Sequence, residues 1–156
     1  NEYGAFGGDY QVVHHTDYLA ELISGGRLTV RPSRIDREST VSYHDSCYLG
    51  RHNDIYDSPR EILKAALGSD LREMSCSGSQ SFCCGAGGGH AWFDLEQGDK
   101  INAIRYAEAQ DTGADTIATA CPYCRIMFDE AGSARDTEAR LRVRDVAEIL
   151  NEASRP

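Results

Sequence analysis

Five cysteines carry the most specific chemical signal in this 156-residue sequence. Two of them are adjacent and run into a glycine-rich stretch, two more form a Cys-Pro-Tyr-Cys motif, and one stands upstream. They are Cys47, Cys83, Cys84, Cys121 and Cys124. The chain is too long for a small disulfide scaffold, and an adjacent pair combined with Cys-x-x-Cys is typical of a metal or redox site in a reducing compartment.

The adjacent cysteines distinguish between kinds of metal site. A structural zinc ion takes four ligands in a tetrahedron, often from two Cys-x-x-Cys pairs, and this chain has one such pair. Cys83 and Cys84 are poorly placed to reach one small ion together, but they can bind different irons of a cluster. Five thiolates also exceed the four of an ordinary cubane. The cysteines therefore favour an iron–sulfur cluster, with zinc as the alternative.

The glycine run after Cys84 indicates a close approach of the backbone to a ligand. Gly85, Gly87 and Gly88 would let N–H groups approach cluster sulfides and offset their negative charge. A phosphate loop is the other interpretation. The run lacks the lysine of G-x-x-x-x-G-K-[ST], however, and it does not fit G-x-G-x-x-G. We therefore interpret the glycines as backbone support for the cysteines.

Two further interpretations use only some of the cysteines. Cys-Pro-Tyr-Cys matches the redox motif of glutaredoxins, but that fold carries the motif near its start and needs a later cis-proline. In this sequence only Pro156 follows the motif. A nucleophilic pair, either Cys47 with His44 or Cys84 with His90, would leave the remaining cysteines unexplained.

Three polar residues and one extra cysteine flank the motifs. We expect His44, Asp45 and His90 to handle protons or to support the ligands. Cys76 is expected to be a bystander thiol on a loop, and the alternatives are a sixth ligand or a resolving thiol. Loss of iron in a Cys76→Ser variant would favour these alternatives.

The order of elements predicts an α/β fold. Strands and helices alternate about five times, which indicates a parallel sheet flanked by helices, with right-handed crossovers. The predicted strands cover 11–15, 41–44, 71–75, 116–120 and a segment around 141–143. Five helices are predicted. The first follows an N-cap at Thr16, and the second is opened by a capping box at 58–61 and ended by Gly68. The third begins at Asp99, the fourth runs from Pro122 to an end at Gly132, and the last has Asp145 as its N-cap.

This topology positions the cysteines. Sites in an open parallel sheet form beyond the carboxyl ends of the strands. The upstream cysteine, the adjacent pair and the Cys-x-x-Cys motif each follow a predicted strand, so all five thiols are expected at one edge. Cys47 and Cys121 also lie near predicted helix N-termini, where the helix dipole favours a thiolate.

Composition excludes several classes of function. With 25 acidic and 16 basic residues the net charge is −9, which argues against non-specific binding to nucleic acid or to an anionic membrane. No apolar run is long enough to span a bilayer, and no secretory signal is visible. We expect a cytoplasmic protein. The chain opens on Asn1 without a methionine, so we expect it to be a piece of something longer.

The cysteine spacing resembles that of a known family. Thirty-five residues separate Cys47 from Cys83-Cys84-Gly85, and 36 residues run from Gly85 to Ala120 before the Cys-Pro-Tyr-Cys motif. Over essentially the whole chain, this pattern resembles the cysteine-rich CCG domain found in heterodisulfide reductase and in related iron–sulfur oxidoreductases, including glycolate-oxidase and lactate-utilisation subunits. The segments 43–53 and 81–88 look especially like the membrane-associated (Fe–S)-binding oxidoreductases.

The resemblance implies an oxidoreductase domain that carries electrons and takes part in disulfide, thiol or 2-hydroxy-acid redox chemistry. It implies a noncubane [4Fe-4S] cluster, which would be held by Cys47, Cys83, Cys84, Cys121 and Cys124. With zinc instead, the domain would be a redox-silent structural module. Ser46 departs from the family, which usually has proline there, and we expect a looser turn at Cys47.

The resemblance also implies two such domains in tandem. Residues 1–156 would then form a single domain, the second of a longer protein, with residues 1–15 as the linker and first strand. Its partners would be the preceding CCG domain and a ferredoxin-like electron donor of the same or a partner chain. We expect any membrane association to come through other parts of the protein, and the isolated domain to lack turnover.

Overall fold

A three-stranded parallel sheet forms the centre of the fold. The structure is a computed structural model that describes residues 3–32, 39–93, 98–135 and 140–154. The strands are β1 (Val41–His44), β2 (Thr116–Thr119) and β3 (Arg142–Asp145), in the order β1-β2-β3. The register sets Val41 opposite Thr116 and Thr116 opposite Arg142. Because both pairings are parallel, the carboxyl ends of the three strands lie at the same edge.

Helices flank this sheet, which confirms the predicted α/β class. The α-helices of the described ranges are α1 (His15–Ser24), α2 (Gly50–Asn53), α3 (Asp57–Leu67), α4 (Ile101–Asp111), α5 (Pro122–Ser133) and α6 (Val146–Ala153). Short 3-10 turns lie at Tyr3–Phe6, Gly78–Gln80 and Gly87–Gly89. In these ranges no helix combines the length and the apolar character that a membrane crossing requires.

Side chains of β1 and β2 alternate between two hydrophobic clusters. On one face, Tyr43 and Ala118 pack in a buried cluster with α3 and α6. On the other, Ile117 packs with Tyr106 of α4 and Phe128 of α5. Every residue of β1 and β2 is buried, as expected for strands covered on both faces. The strand ends, and the loops that leave them, are therefore held rigidly.

Several element predictions are confirmed. β1 covers the predicted residues 41–44, and α5 begins at Pro122. α6 has Asp145 as its N-cap, and Glu148 completes a capping box that was not predicted. In each case a strong local signal coincides with the tertiary structure, either a short apolar run or a capping residue.

The predicted first strand at 11–15 is wrong. Its residues pair with no strand of the described chain, and α1 already begins at His15. The N-cap is His14 rather than Thr16, because the Thr16 N–H donates to Nδ1 of His14 at 3.2 Å. Thr16 is buried in the first turn, with its hydroxyl 2.7 Å from the same nitrogen. The first two residues of the expected linker lie outside the described ranges.

The predicted strand at 71–75 is also wrong. This segment is an irregular connection that contacts β1 through a hydrogen bond from the Arg72 N–H to the Val41 carbonyl (2.9 Å). The Glu73 carboxylate in this segment pairs with Arg60 of α3 at 2.7 Å. The described chain therefore has three strands instead of the five expected, and the adjacent cysteines follow a loop instead of a strand.

The capping box predicted at residues 58–61 does not form. α3 begins at Asp57, with Tyr56 as an N-cap that makes no side-chain capping bond. The Ser58 hydroxyl donates instead to the buried Thr16 hydroxyl at 3.2 Å, which joins α3 to α1. Gly68 ends α3 as predicted, with a φ of +69°.

The predicted end of α5 at Gly132 is one residue early, because the helix continues to Ser133. Gly132 is buried inside the helix, where a Cβ atom would lie 3.0 Å from the Tyr106 hydroxyl. This glycine makes room for a neighbouring ring, so its role is in packing and not in helix termination.

Candidate functional site

Three chain segments bring cysteines to the carboxyl edge of the sheet. Cys47 follows β1 by three residues, and Cys121 follows β2 by two and is the N-cap of α5. Cys83 and Cys84 come from the loop between two 3-10 turns. All six cysteines are free. The structure thus brings the adjacent pair to the same edge as the other cysteines although no strand precedes it.

The thiol of Cys84 lies at the centre of the sulfur cluster. It is 3% exposed, and hydrogen bonds from Cys124 and Cys83 are the main causes that lower its pKa. One ring nitrogen of His44 and the Cys124 sulfur lie within 4.8 Å of the same sulfur. The pKa of the Cys124 thiol is raised, chiefly by its hydrogen bonds with Cys121 and Cys84. The Cys84 sulfur therefore lies close to both the Cys-x-x-Cys motif and the end of β1.

Cys121 lies at the N-terminus of α5. A hydrogen bond from Cys124 is the largest cause that lowers the pKa of the Cys121 thiol to about 6, and the backbone N–H groups of Cys124 and Tyr123 add to it. Unsatisfied N–H groups at a helix N-terminus favour a negative sulfur. Cys47 is half-buried and follows β1 at the same edge of the sheet. The sulfurs of Cys84 and Cys124 lie within 4.8 Å of each other, so the structure brings the adjacent pair and the Cys-x-x-Cys motif together.

The turn at Cys47 is firmly held. The Ser46 hydroxyl lies 3.2 Å from the Thr119 hydroxyl at the end of β2, and the Ser46 carbonyl accepts from the N–H groups of Leu49 and Gly50. Serine therefore ties the ends of β1 and β2 together. The looser turn expected from the missing proline is not observed.

Two of the three predicted support glycines adopt conformations that suit glycine. Gly85 has a φ of +93° and its N–H donates to the Cys83 sulfur at 3.3 Å. Gly88 has a φ of +66°. Gly87 has an ordinary φ, and a Cβ atom there would meet nothing within 4 Å. Of the three predicted support glycines, Gly85 has a direct contact to a cysteine sulfur.

A Gly85→Ala substitution is expected to lower the free energy of unfolding by about 1–3 kcal/mol, because a positive φ strains a residue with a side chain. Its Cβ would also lie 3.1 Å from the Asn102 nitrogen and from Ile101. Gly87→Ala is the matched control and should change stability by less than about 0.5 kcal/mol. Urea unfolding of the reduced chain measures both. Equal effects of the two substitutions would contradict this account.

Asp45 holds the segment before the adjacent cysteines. Its carboxylate, 2% exposed, accepts two hydrogen bonds from the Arg60 guanidinium, at 2.7 and 2.9 Å. It also accepts from the Gly78 N–H at 2.8 Å. The Ser81 carbonyl accepts from Arg51 of α2 at 2.7 Å. Asp45 therefore acts as a structural anchor in this structure, and its carboxylate is fully engaged.

His44 is buried at the end of β1, beside the sulfurs. Its ring packs edge-on against Phe128, with centroids 4.9 Å apart. One ring nitrogen lies within 4.8 Å of the sulfurs of Cys84 and Cys124. Its other contact is with Arg105, whose Nε donates to His44 Nδ1 at 3.2 Å. Burial is the largest cause of the lowered pKa of His44.

Arg105 is the site residue that sequence reasoning missed. It lies on α4, and its side chain is 0% exposed. An arginine on the apolar side of an amphipathic helix is a signal in itself, since a buried cation requires partners. That signal indicates a polar network but does not identify the partners.

His90 lies at a cavity beside Gly85. Its ring packs against Phe93, with centroids 5.2 Å apart. Together with Gly85, Trp92 and Met127 it lines a cavity of about 270 Å³. Any role of His90 would therefore be exerted from this cavity, on the side of Gly85.

Cys76 is exposed, and its backbone is firmly held. Its N–H donates to the Glu108 carboxylate at 2.6 Å, and its carbonyl accepts from Arg105 at 2.9 Å. The segment thus positions Arg105 through its main chain, which does not depend on the thiol.

Large exposed side chains occur in the segments that carry the cysteines and at the cavity beside Gly85. Trp92, at the cavity, is 78% exposed, and Tyr48, next to Cys47, is 75% exposed. The others are Phe82, Phe93, Tyr123 and Ile126. An exposed apolar group of this kind, next to a polar site, is typical of an interaction surface.

Comparison with known proteins matches this geometry to a family. The sequence profile of the CCG cysteine-rich domain matches residues 41–129, which contain all five clustered cysteines. The chain belongs to the CCG cysteine-rich domain family. This result confirms the resemblance that the cysteine spacing indicated.

The curated relatives of this CCG domain are redox proteins. It is 45% identical over 150 residues to the probable iron-sulfur-binding oxidoreductase FadF of Bacillus subtilis, covering 96% of this chain and 21% of FadF. It is 42% identical over 158 residues to the EtfAB:quinone oxidoreductase of Syntrophomonas wolfei, covering 96% of this chain and 21% of that protein.

A third relative is one subunit of the dihydromethanophenazine:CoB–CoM heterodisulfide reductase of Methanosarcina barkeri. It is 32% identical over 145 residues, which cover 92% of this chain and 34% of the relative. The CCG domain thus spans between about a fifth and a third of the relatives that it matches.

Proposed function

We propose that this CCG domain binds an iron–sulfur cluster and carries electrons within an oxidoreductase. The observation that carries the proposal is that free thiols follow β1 and β2 at one edge of the sheet, where the Cys84 sulfur lies within 4.8 Å of the Cys124 sulfur. Relatives described as an iron-sulfur-binding oxidoreductase and a quinone oxidoreductase support the same class of function.

The proposed ligands are Cys47, Cys83, Cys84, Cys121 and Cys124. Thiolates are the usual protein ligands of iron–sulfur clusters, so the donor set fits such a group. The Gly85 N–H and the N-terminus of α5 add positive dipoles that stabilise negative charge on sulfur. When bound, the cluster would accept and release electrons. We propose the noncubane [4Fe-4S] form because five thiolates exceed the four that a cubane uses.

Zinc is the second candidate. His44, Cys84 and Cys124 present ligand atoms that lie within 4.8 Å of one another, and these are three of the four ligands that a structural zinc takes. With zinc the domain would be a redox-silent structural module. Cys47, Cys83 and Cys121 remain, and a four-ligand site could use only one of these three thiols.

Anaerobic reconstitution distinguishes the two candidates. We expect the reduced chain, supplied with iron and sulfide in the presence of equimolar zinc, to retain iron and acid-labile sulfide and to give an EPR signal in one redox state. Stoichiometric zinc without iron would overturn the cluster proposal and favour the structural module. A sample exposed to air, in which cysteines can pair, is the control for oxidative loss.

We further propose that this domain works beside a preceding CCG domain of a longer protein, with residues 1–15 as part of the linker. The partner would dock on the exposed aromatic side chains around the cysteines, Tyr48 and Trp92 in particular. A ferredoxin-like donor would supply electrons, and any membrane association would come through other parts. The isolated domain is then expected to lack substrate turnover, because one half of the redox unit is missing.

Oxidative footprinting tests this docking surface. Tyr48 and Trp92 should be oxidised readily in the 156-residue chain and protected in a longer parent protein that includes the preceding segment. Tyr18, which is 51% exposed on α1, belongs to none of the segments that carry the five cysteines and is the internal control. Protection of Tyr18 alone would place the partner elsewhere. Turnover by the 156-residue chain at the rate of the parent would overturn the need for a partner.

A further inference from the structure

Arg105 forms a buried link between α4, the end of β1 and the loop that precedes the adjacent cysteines. Its side chain is 0% exposed. Its Nε donates to His44 Nδ1 at 3.2 Å, one terminal nitrogen donates to the Cys76 carbonyl at 2.9 Å, and the other donates to the Ser81 hydroxyl at 3.2 Å. It also pairs with Glu108. The guanidinium is therefore held in one orientation from several sides.

This contact fixes the tautomer of His44. Arginine remains protonated in proteins and has donors but no acceptor. His44 Nδ1 must therefore accept the hydrogen bond with its lone pair, so it carries no proton. In a neutral imidazole the single proton then lies on Nε2.

The protonated nitrogen faces the cluster of thiols. One ring nitrogen of His44 lies within 4.8 Å of the Cys84 sulfur, and because Nδ1 is engaged by Arg105, Nε2 is the nitrogen that remains to donate to that sulfur. Phe128 packs against the ring and restrains its orientation. The geometry gives a continuous path from the buried cation through the imidazole to the sulfur at the centre of the site.

We propose that Arg105 and His44 form a hydrogen-bond relay that donates Nε2–H to the Cys84 sulfur and raises the reduction potential of the bound cluster. The proposal rests on the cluster function proposed above. A hydrogen bond to a ligand sulfur stabilises the more negative, reduced state, and so does a nearby buried cation. Both residues act as positioning residues, since their effect is exerted through Cys84.

Substitutions of His44 test the effect on potential. His44→Leu removes both the acceptor and the donor, and it should shift the midpoint potential of the reconstituted chain to more negative values. Because a hydrogen bond to a charged group is worth about one tenfold factor, the expected shift is about 59 mV for a one-electron couple. His44→Gln keeps an acceptor and a donor on one side chain and should restore most of the shift. Equal potentials in the two variants would overturn the proposal.

Substitutions of arginine separate the relay from the effect of charge alone. Arg105→Met removes the buried cation, and Arg125→Met removes an exposed one that directly follows Cys124 and pairs with Glu148 at 2.7 Å. We expect a negative shift in the first variant and almost none in the second, because solvent screens exposed charges. Equal shifts of the midpoint potential in the two arginine variants would show that net charge causes the effect, and they would overturn the relay.

Imidazole nitrogen NMR provides a readout that needs no metal. In the reduced, metal-free chain, His44 should show a protonated Nε2 and an unprotonated Nδ1, and Arg105→Lys should weaken this preference. A protonated Nδ1 in the unsubstituted chain would overturn the relay even if the cluster forms. If no iron is retained, the proposed function fails, yet the NMR result still decides whether the relay exists.

A measurement on the chain loaded with the cluster gives a further test. If a nitrogen is coupled to the cluster as strongly as a ligand would be, His44 is a ligand and the proposal is overturned.

Discussion

The Cys84→Ser variant is expected to lose iron and acid-labile sulfide to background after anaerobic reconstitution, whereas Cys76→Ser should retain both. The Cys84 sulfur is buried and lies within 4.8 Å of the Cys124 sulfur and of a His44 ring nitrogen, so its loss removes a thiolate from the inside of the proposed site. A serine hydroxyl is a hard, protonated ligand at neutral pH, and iron in sulfide clusters prefers thiolate. Iron and sulfide per chain, together with the EPR intensity, measure the outcome.

Cys76→Ser is the matched control because it makes the same atomic change at an exposed thiol. The held backbone of Cys76 is unaffected by a change of its side-chain atom. Circular dichroism of both variants without metal verifies that the buried position 84 tolerates the smaller oxygen. Iron retained by Cys84→Ser would remove this cysteine from the ligand set, and iron lost from Cys76→Ser would add Cys76 as a sixth ligand or a resolving thiol.

The location of the cysteines at one edge of the sheet could be predicted from the sequence, because it depends mainly on the topology of the parallel strands. Strand 41–44 and the strand that starts at Thr116 have strong local signals, and parallel strands bring the residues after them to one edge. The adjacent pair reaches that edge by another route. Its loop is held by Asp45, which accepts from the Gly78 N–H, and by Arg51, which donates to the Ser81 carbonyl. No local pattern in residues 71–82 encodes these distant bonds, so a strand was predicted there incorrectly.

The polar network around the site could not be predicted for the same reason. Arg105 and His44 are 61 positions apart in the sequence. Arg60 and Asp45, which form an ion pair, are 15 positions apart. Helical periodicity in residues 99–110 cannot identify the partner of a buried cation. Sequence patterns therefore predict which residues are buried, whereas the pairing of buried polar groups depends on tertiary structure.

Arg60→Met is expected to lower the free energy of unfolding by about 3–5 kcal/mol, because it leaves a buried carboxylate without its cation. Asp45 is 2% exposed and Arg60 is 17% exposed, so solvent screens this pair little. The substitution also removes the pairing with Glu73 and the stacking of the guanidinium over the Tyr43 ring, 5.1 Å from its centroid. Urea unfolding of the reduced, metal-free chain measures the change.

Arg27→Met is the control for this prediction, because it removes the same charge from an ion pair whose side chains are 54% and 66% exposed. Such a pair contributes about 0–1 kcal/mol. Replacing both partners, with Arg60→Met and Asp45→Leu together, should recover part of the loss, since no charge is then left buried. A double variant less stable than Arg60→Met alone would show that Asp45 stabilises the fold mainly through the Gly78 N–H. In that case Asp45, more than Arg60, holds the loop that carries the adjacent cysteines.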